Sequence, residues 1–255
     1  MKKSIYVIII SVITSVSIVA GVCIHVLGKG LFNLFDRSGS AMKEGSVEIS
    51  EELTRLDIDI DAADIRIKYG DKAAVEYYLA ESMVPDIYVE TGTLCIKEKK
   101  NSGWRVNPFQ MKDSYILIVI PEEMTLDKIT LDCDAGDIDI TSVKTDKLEA
   151  DVDAGNIKIN DVSAKDVRFD VDAGNLEFTG CGFGDLSMEV DAGNVDLTDC
   201  TVDEITADLD AGNIESHNSK ITSGRANVDF GNIELHGDIG DVKTKVSLGN
   251  VEKDN

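Results

Sequence analysis

The chain has 255 residues, with 48 acidic side chains against 25 basic ones, a formal net charge of −23 and only 5% aromatic residues. Such a charge opposes phosphate and excludes a nucleic-acid partner. The sequence also carries no phosphate-cradling loop, dinucleotide fingerprint or nucleophile elbow, which removes the commonest enzyme signatures.

The chain opens Met1-Lys2-Lys3, and an apolar run follows from Ile5 to Leu27 without Asp, Glu, Lys or Arg. That run is long enough to cross a bilayer, and the lysines before it favour a cytoplasmic N-terminus. Residues 1–27 therefore read as cytoplasmic lysines and a transmembrane anchor. This makes the protein a single-pass protein of the cell membrane with an extracytoplasmic C-terminal domain. A cleaved signal peptide is the rival reading, but its apolar core is usually shorter and no small-x-small cleavage site follows. Cys23 lacks the small residue that precedes a lipoprotein cysteine. Residues 28–46, with Gly28, Gly30, Gly39, Gly45 and several serines, read as a linker, and Phe32, Leu34 and Phe35 within it suit the membrane surface.

Residues 47–127 show β patterning without a strict period and are expected to cap a solenoid. Leu56, Ile58, Ile60, Ile65 and Ile67 alternate with polar residues, and Asp61-Ala62-Ala63-Asp64 looks like a degenerate copy of the repeat that follows. Val75 to Leu79, Ile87 to Val89 and Leu94 to Lys97 are strand candidates. Lys99 to Asp113, with Trp104, Arg105 and Pro108, reads as an exposed loop. Tyr115 to Pro121 reads as an apolar strand leading into the solenoid.

Residues 128–255 are a repeat. Its glycines fall every 19 residues at Gly136, Gly155, Gly174, Gly193, Gly212 and Gly231, with Gly249 after 18. A fixed period near 20 marks a solenoid in which each coil buries its apolar face on its neighbours. Offsets −7, −5, −3 and −1 from each Gly are apolar, as in Leu148, Ala150, Val152 and Ala154, and the residues between them are polar. That alternation has the period of a strand, and two or three short strands fit each coil. Apolar residues also fill offset +7 (Val143, Val162, Cys181, Cys200) and offset +9 (Ala164, Phe183, Val202, Ile221).

Gly takes positive φ freely and Asn tolerates the left-handed region, so the Gly-Asn pair is expected to form a corner. Asn156, Asn175, Asn194, Asn213, Asn232 and Asn250 then stack along the axis as a hydrogen-bonding ladder. The fold expected is all-β: a right-handed parallel β-helix, or β-solenoid, of 19-residue coils behind one N-terminal transmembrane helix. About seven coils at ~4.8 Å each give a rod on the order of 30 Å long. The last coils depart from consensus, with Phe230 and Leu248 at offset −1 and Gly224 at offset −7, as terminal caps do. Cys181 and Cys200 lie one coil apart, which suits either a disulfide or two buried thiols in place of valines.

The strand ending Ile120-Pro121 and the coils Asp134-Ala135-Gly136-Asp137-Ile138 and Asp210-Ala211-Gly212-Asn213-Ile214, behind an N-terminal anchor, resemble a bacterial family. It is the β-strand-repeat "putative adhesin" family, a domain of unknown function, and the resemblance covers roughly residues 50–252. It implies a right-handed β-helix-like fold outside a bacterial membrane and brings no catalytic residues. Some members resemble accessory proteins of envelope-stress systems.

The strongest candidate site is a set of acidic columns. Offset −2 holds Asp134, Asp153, Asp172, Asp191, Asp210 and Asp229, and offset −4 holds Asp132, Asp151, Asp170, Glu189 and Asp208. Offset +3 adds Asp139, Glu177, Asp196, Glu215 and Glu234. Like charges about 5 Å apart cost on the order of 1 kcal/mol per contact even in water. Asp132, Asp134, Asp151, Asp153, Asp170, Asp172, Asp191, Asp208 and Asp210 are therefore candidate Ca²⁺ ligands. The alternative is that the offset −2 acids accept hydrogen bonds from the Gly-Asn turn while the outer acids face solvent.

Asp151-Val152-Asp153-Ala154-Gly155 is not an EF-hand, because its Gly comes one place early and no bidentate Glu follows. The calcium-binding nonapeptide β-roll has a different period. His217 and His236, at offset +5, are candidates for a transition metal or for a plain polar column.

These features point to a non-enzymatic adhesion or interaction module with an acidic surface. No cofactor is expected, Ca²⁺ being the one ion its acids suit, and the expected partner is a cell-wall polymer or a membrane protein. The alternatives are a regulatory envelope-stress component and a polysaccharide-acting β-helix enzyme. The enzyme would need a local, non-repeating cluster of acids, whereas these acids recur in every coil.

Overall fold

The computed structural model describes residues 41–99, 114–122 and 124–254. The apolar run 5–27, the linker to residue 40 and the Trp104 loop beyond Lys99 lie outside the described residues. Among the described residues no helix is long and apolar enough to cross a membrane.

The regular part of the molecule is a parallel β-solenoid. Each coil has one long strand and one short strand: β8 (Leu126–Ala135) with β9 (Ile138–Thr141), β10 (Lys144–Ala154) with β11 (Ile157–Asn160), β12 (Ser163–Ala173) with β13 (Leu176–Thr179), and β14 (Gly182–Ala192) with β15 (Val195–Thr198). The following strands are β16 (Thr201–Ala211), β17 (Ile214–Phe230), β18 (Ile233–Leu248) and β19 (Val251–Asp254). Pairing advances by one repeat: Leu148 faces Val167, which faces Leu186, which faces Ile205.

The same alternation builds the core. Leu148, Ala150 and Val152 point inward from the long strand, Ile157 and Ile159 from the short one, and Val162 and Ala164 follow. All lie in one continuous apolar core with their counterparts from other coils. Each fully buried Leu, Ile or Val is worth about 1.5–3 kcal/mol. Volumes compensate between coils: Phe169 stands in the column of Ala150 and Ala207, and its ring packs 5.4 Å from that of Phe178, which meets Phe183 at 5.7 Å.

The N-terminal strands are β1 (Met42–Glu48), β2 (Arg55–Ala62), β3 (Asp64–Gly70), β4 (Ala74–Ala80), β5 (Asp86–Glu90), β6 (Thr93–Lys97) and β7 (Tyr115–Pro121). The degenerate copy at Asp61–Asp64 is in register with the repeat, since Ala62 pairs with Ala135 and Ile65 with Ile138. Tyr115–Pro121 is a strand followed in the chain by β8, but in the stack it is separated from β8 and β9 by one coil. Strand β7 pairs with β3, and β6 with β2. The coil made by β2 and β3 thus lies between β6–β7 on one side and β8–β9 on the other. Antiparallel strands close that end, β5 on β6, β4 on β7, and β1 on β4. Strand β1 starts at Met42, inside the stretch read as linker. At the other end Phe230, Leu248 and Val251 remain about half exposed.

At the Gly-Asn corner Gly136, Gly212, Gly231 and Gly249 take the positive φ expected, 149° to 158°, whereas the asparagines do not take the left-handed conformation. Among the described residues, positive φ at non-glycine positions occurs at Thr91, Ser142, Asp161, Asp199 and Asn218, and not at the ladder asparagines. Glycine is needed at this corner for space: a Cβ on Gly155 would stand 1.9 Å from the Gly136 carbonyl oxygen, and one on Gly174 would stand 1.7 Å from that of Gly155. The left-handed corner lies six residues later, at Ser142, Asp161, Gly180, Asp199 and Asn218.

Candidate functional site

The Asn ladder fixes the edge beside the acidic columns. Asn156 donates its backbone N–H and its Nδ2 to Asp137 Oδ1 at 2.8 and 3.1 Å. Asn175 does the same to Asn156, and Asn194 to Asn175. The backbone N–H groups of Asn213, Asn232 and Asn250 continue the series.

This ladder bears on the offset −2 acids. The turn N–H groups are engaged along the axis, since Gly155 donates to Ala173 O and Asn156 to Asp137. None of these bonds goes to Asp153, Asp172, Asp191 or Asp210, so the turn-capping role expected as an alternative is not what the described residues show. Asp134, Asp153, Asp172, Asp191 and Asp210 are all exposed. Among the described residues no lysine or arginine pairs with any of them.

The offset −4 column runs in register, Asp132 beside Asp151, then Asp170, Glu189 and Asp208. Basic side chains reach part of it. Arg168 lies 3.4 Å from Asp170 and 3.9 Å from Glu189, and Arg225 lies 3.0 Å from Asp208. Asn227 Nδ2 also donates to Asp208 at 2.6 Å. Partial burial, followed by the charges of Asp170, Asp132, Asp153 and Asp172, pushes the Asp151 carboxyl up. Burial and then Asp153, Asp132, Glu98 and Asp59 do the same to Asp134.

Ligand atoms converge elsewhere. Among the described residues, groups of three or more donors within 4.8 Å of one another are Asp196–Glu215–His217 and His236–Glu252–Asp254. Neither contains an offset −2 or −4 acid. His217 Nε2 lies 3.7 Å from Glu215 Oε2 and 4.0 Å from Asp196 Oδ1, and His236 Nδ1 lies 3.2 Å from Asp254 Oδ2. The imidazoles stack at 6.0 Å. Sequence reasoning placed His217 and His236 in one column but missed Glu252 and Asp254. The signal was available, because Glu252 and Asp254 stand at the same offsets from Gly249 as Glu234 and His236 do from Gly231.

Cys181 and Cys200 are buried free thiols in the described structure. Each sulfur faces a backbone carbonyl, Cys181 that of Ile159 at 3.3 Å and Cys200 that of Phe178 at 3.5 Å. The hydrogen bond with Cys200, and then burial, push the Cys181 thiol far up.

The coil register, the stacked asparagines and the continuous apolar core define the protein as a β-solenoid of 19-residue coils. A family model, Toastrack DUF4097, matches residues 53–252, and the chain belongs to that family, a domain of unknown function. Two solved structures share the fold. A "putative adhesin" from Bacteroides fragilis is 18% identical, with 84% of this chain and 97% of that chain covered and a TM-score of 0.57. A second, from Parabacteroides distasonis, is 16% identical, with 84% and 98% covered and a TM-score of 0.54. Among curated proteins none matches.

Proposed function

We propose that this protein is a non-enzymatic adhesion module, anchored in the cell membrane through residues 5–27, that presents its acidic columns to an anionic cell-wall polymer bridged by Ca²⁺. The observation that carries this reading is the offset −2 column: Asp134, Asp153, Asp172, Asp191 and Asp210 are exposed, one per coil, with no lysine or arginine paired to them among the described residues. Exposed carboxylates at a regular spacing suit a hard divalent ion that also accepts ligands from a polymer. The names given to the similarly folded structures agree with an adhesive role.

The test is sedimentation of the purified full chain with isolated cell walls, in Ca²⁺ at about 1 mM, the range of extracellular Ca²⁺ modules, and then in chelator. Binding in Ca²⁺ that is lost in chelator, and lost in an Asp153→Asn, Asp172→Asn, Asp191→Asn variant, supports the proposal. Binding indifferent to Ca²⁺ and to the variant overturns it, as does release of soluble sugar fragments from the walls.

A further inference from the structure

The outward column five residues after each corner Gly holds Thr141, Asn160, Thr179 and Thr198, and then changes to His217 and His236. Asp254 follows in register with His236. Two residues back along each strand runs a second column, Asp196, Glu215, Glu234 and Glu252, aligned from coil to coil. Earlier acids of that column are satisfied: Asp139 accepts the Thr141 hydroxyl at 3.0 Å, and Glu177 pairs with Lys158 at 3.1 Å. Among the described residues no lysine or arginine pairs with Asp196, Glu215, Glu234 or Glu252. The acids thus accumulate uncompensated where the imidazoles appear.

Imidazole nitrogen combined with carboxylate oxygen is a donor set for borderline divalent ions, whereas Ca²⁺ takes oxygen alone. We propose that the triads Asp196–Glu215–His217 and His236–Glu252–Asp254 each bind one such ion, of the Zn²⁺ type, with water completing the shell. Donors around tetrahedral zinc, each about 2.1 Å from the metal, stand about 3.4 Å from one another. The distances here are 3.7 and 4.0 Å in the first triad and 3.2 Å between His236 and Asp254. All donor atoms of each triad lie within 4.8 Å of one another. The backbones that carry the ligands are fixed by parallel pairing, β15 with β17, β17 with β18, and β18 with β19. Three protein ligands per ion leave open positions, so each ion could also accept a donor from outside the chain.

The test is calorimetric titration of the full chain with Zn²⁺, with Ca²⁺ held at about 1 mM to occupy oxygen-only sites. Two equivalents are expected. His217→Gln removes one, His236→Gln removes the other, and the double variant takes up neither at about 100 μM Zn²⁺. Glutamine keeps these positions polar, as Thr and Asn do in earlier coils, and circular dichroism checks that each variant is folded. Glu215→Gln with Glu252→Gln, which keeps both imidazoles, is expected to weaken both sites. No Zn²⁺ uptake by the unaltered chain at about 100 μM overturns the proposal, and so does uptake that survives the double histidine variant. Neither result bears on Ca²⁺-dependent wall binding.

Discussion

The carboxylate of Glu98 accepts the backbone N–H of Asp61 at 3.0 Å, which brings two acids together where β6 meets β2. Burial, then the Glu98 contact, then the charges of Asp134 and Asp59 push the Asp61 carboxyl up to about 7. The folded state therefore holds this proton more tightly than the unfolded chain, whose Asp titrates near 3.9. Stability from the protonated form is fully present below about pH 4 and is lost as pH rises through about 7. Asp61→Asn removes the penalty. Because the group is half solvated, the gain is expected at a few degrees of thermal midpoint at pH 8. The midpoints of variant and parent should converge at pH 4. An equal gain at both pH values would mean that the effect is not ionisation of Asp61.

Backbone crowding at the Gly-Asn corner gives a sharper prediction. The Cβ of Gly174→Ala would stand 1.7 Å from the Gly155 carbonyl oxygen, and no side-chain movement relieves a clash with backbone. A loss of at least about 3 kcal/mol is expected in urea unfolding. Gly182→Ala is the control. Its Cβ would meet only the Ser163 hydroxyl, at 3.8 Å, so its effect should stay within about 1 kcal/mol and can be stabilising.

These two glycines also mark what could be read from sequence. The 19-residue spacing placed Leu148, Val167 and Leu186 in one stack, and the alternation identified which side of each strand is buried. It could not show that β6 and β7 precede β2 and β3 in the stack, because an apolar strand such as Tyr115–Pro121 fits either face of a coil equally well. The left-handed corner was hidden for another reason. Ser142, Asp161, Gly180, Asp199 and Asn218 share tolerance of that conformation but little else, so no single letter repeats. The acids were legible as columns, and the register that sets Asp196 beside Glu215 and Asp254 beside His236 decides which of them converge on imidazole.

The Asn ladder should carry measurable stability. Asn194 donates Nδ2 to Asn175 Oδ1 at 3.1 Å, and its own Oδ1 accepts the Asn213 N–H at 3.0 Å. Asn194→Ala removes both bonds and leaves the Asn213 donor without its side-chain acceptor, at an expected cost of about 1–2 kcal/mol. Hydrogen exchange should localise the change, with the Asn213 amide losing more protection than that of Asn156, two coils away. Uniform loss of protection along the solenoid would instead mean that the coils open together.

Cys181 and Cys200 share their column with Val143 and Val162, and each is only 2% exposed. The column accepts a hydroxyl as well: Ser219 Oγ donates to Leu197 O at 3.1 Å and accepts the Cys200 N–H at 3.0 Å. Thiols so deeply buried behave as small apolar side chains. The folded chain should therefore leave both unreactive towards maleimide, and both should react once it is unfolded without reductant. Cys181→Val and Cys200→Val, which restore the residue of earlier coils, are expected to cost less than about 1.5 kcal/mol each. If the pair were instead oxidised in the native protein, the unfolded chain would titrate two thiols short of its five cysteines. Either valine variant would then lose the cross-link and become sensitive to unfolding in a way that reductant reproduces in the parent.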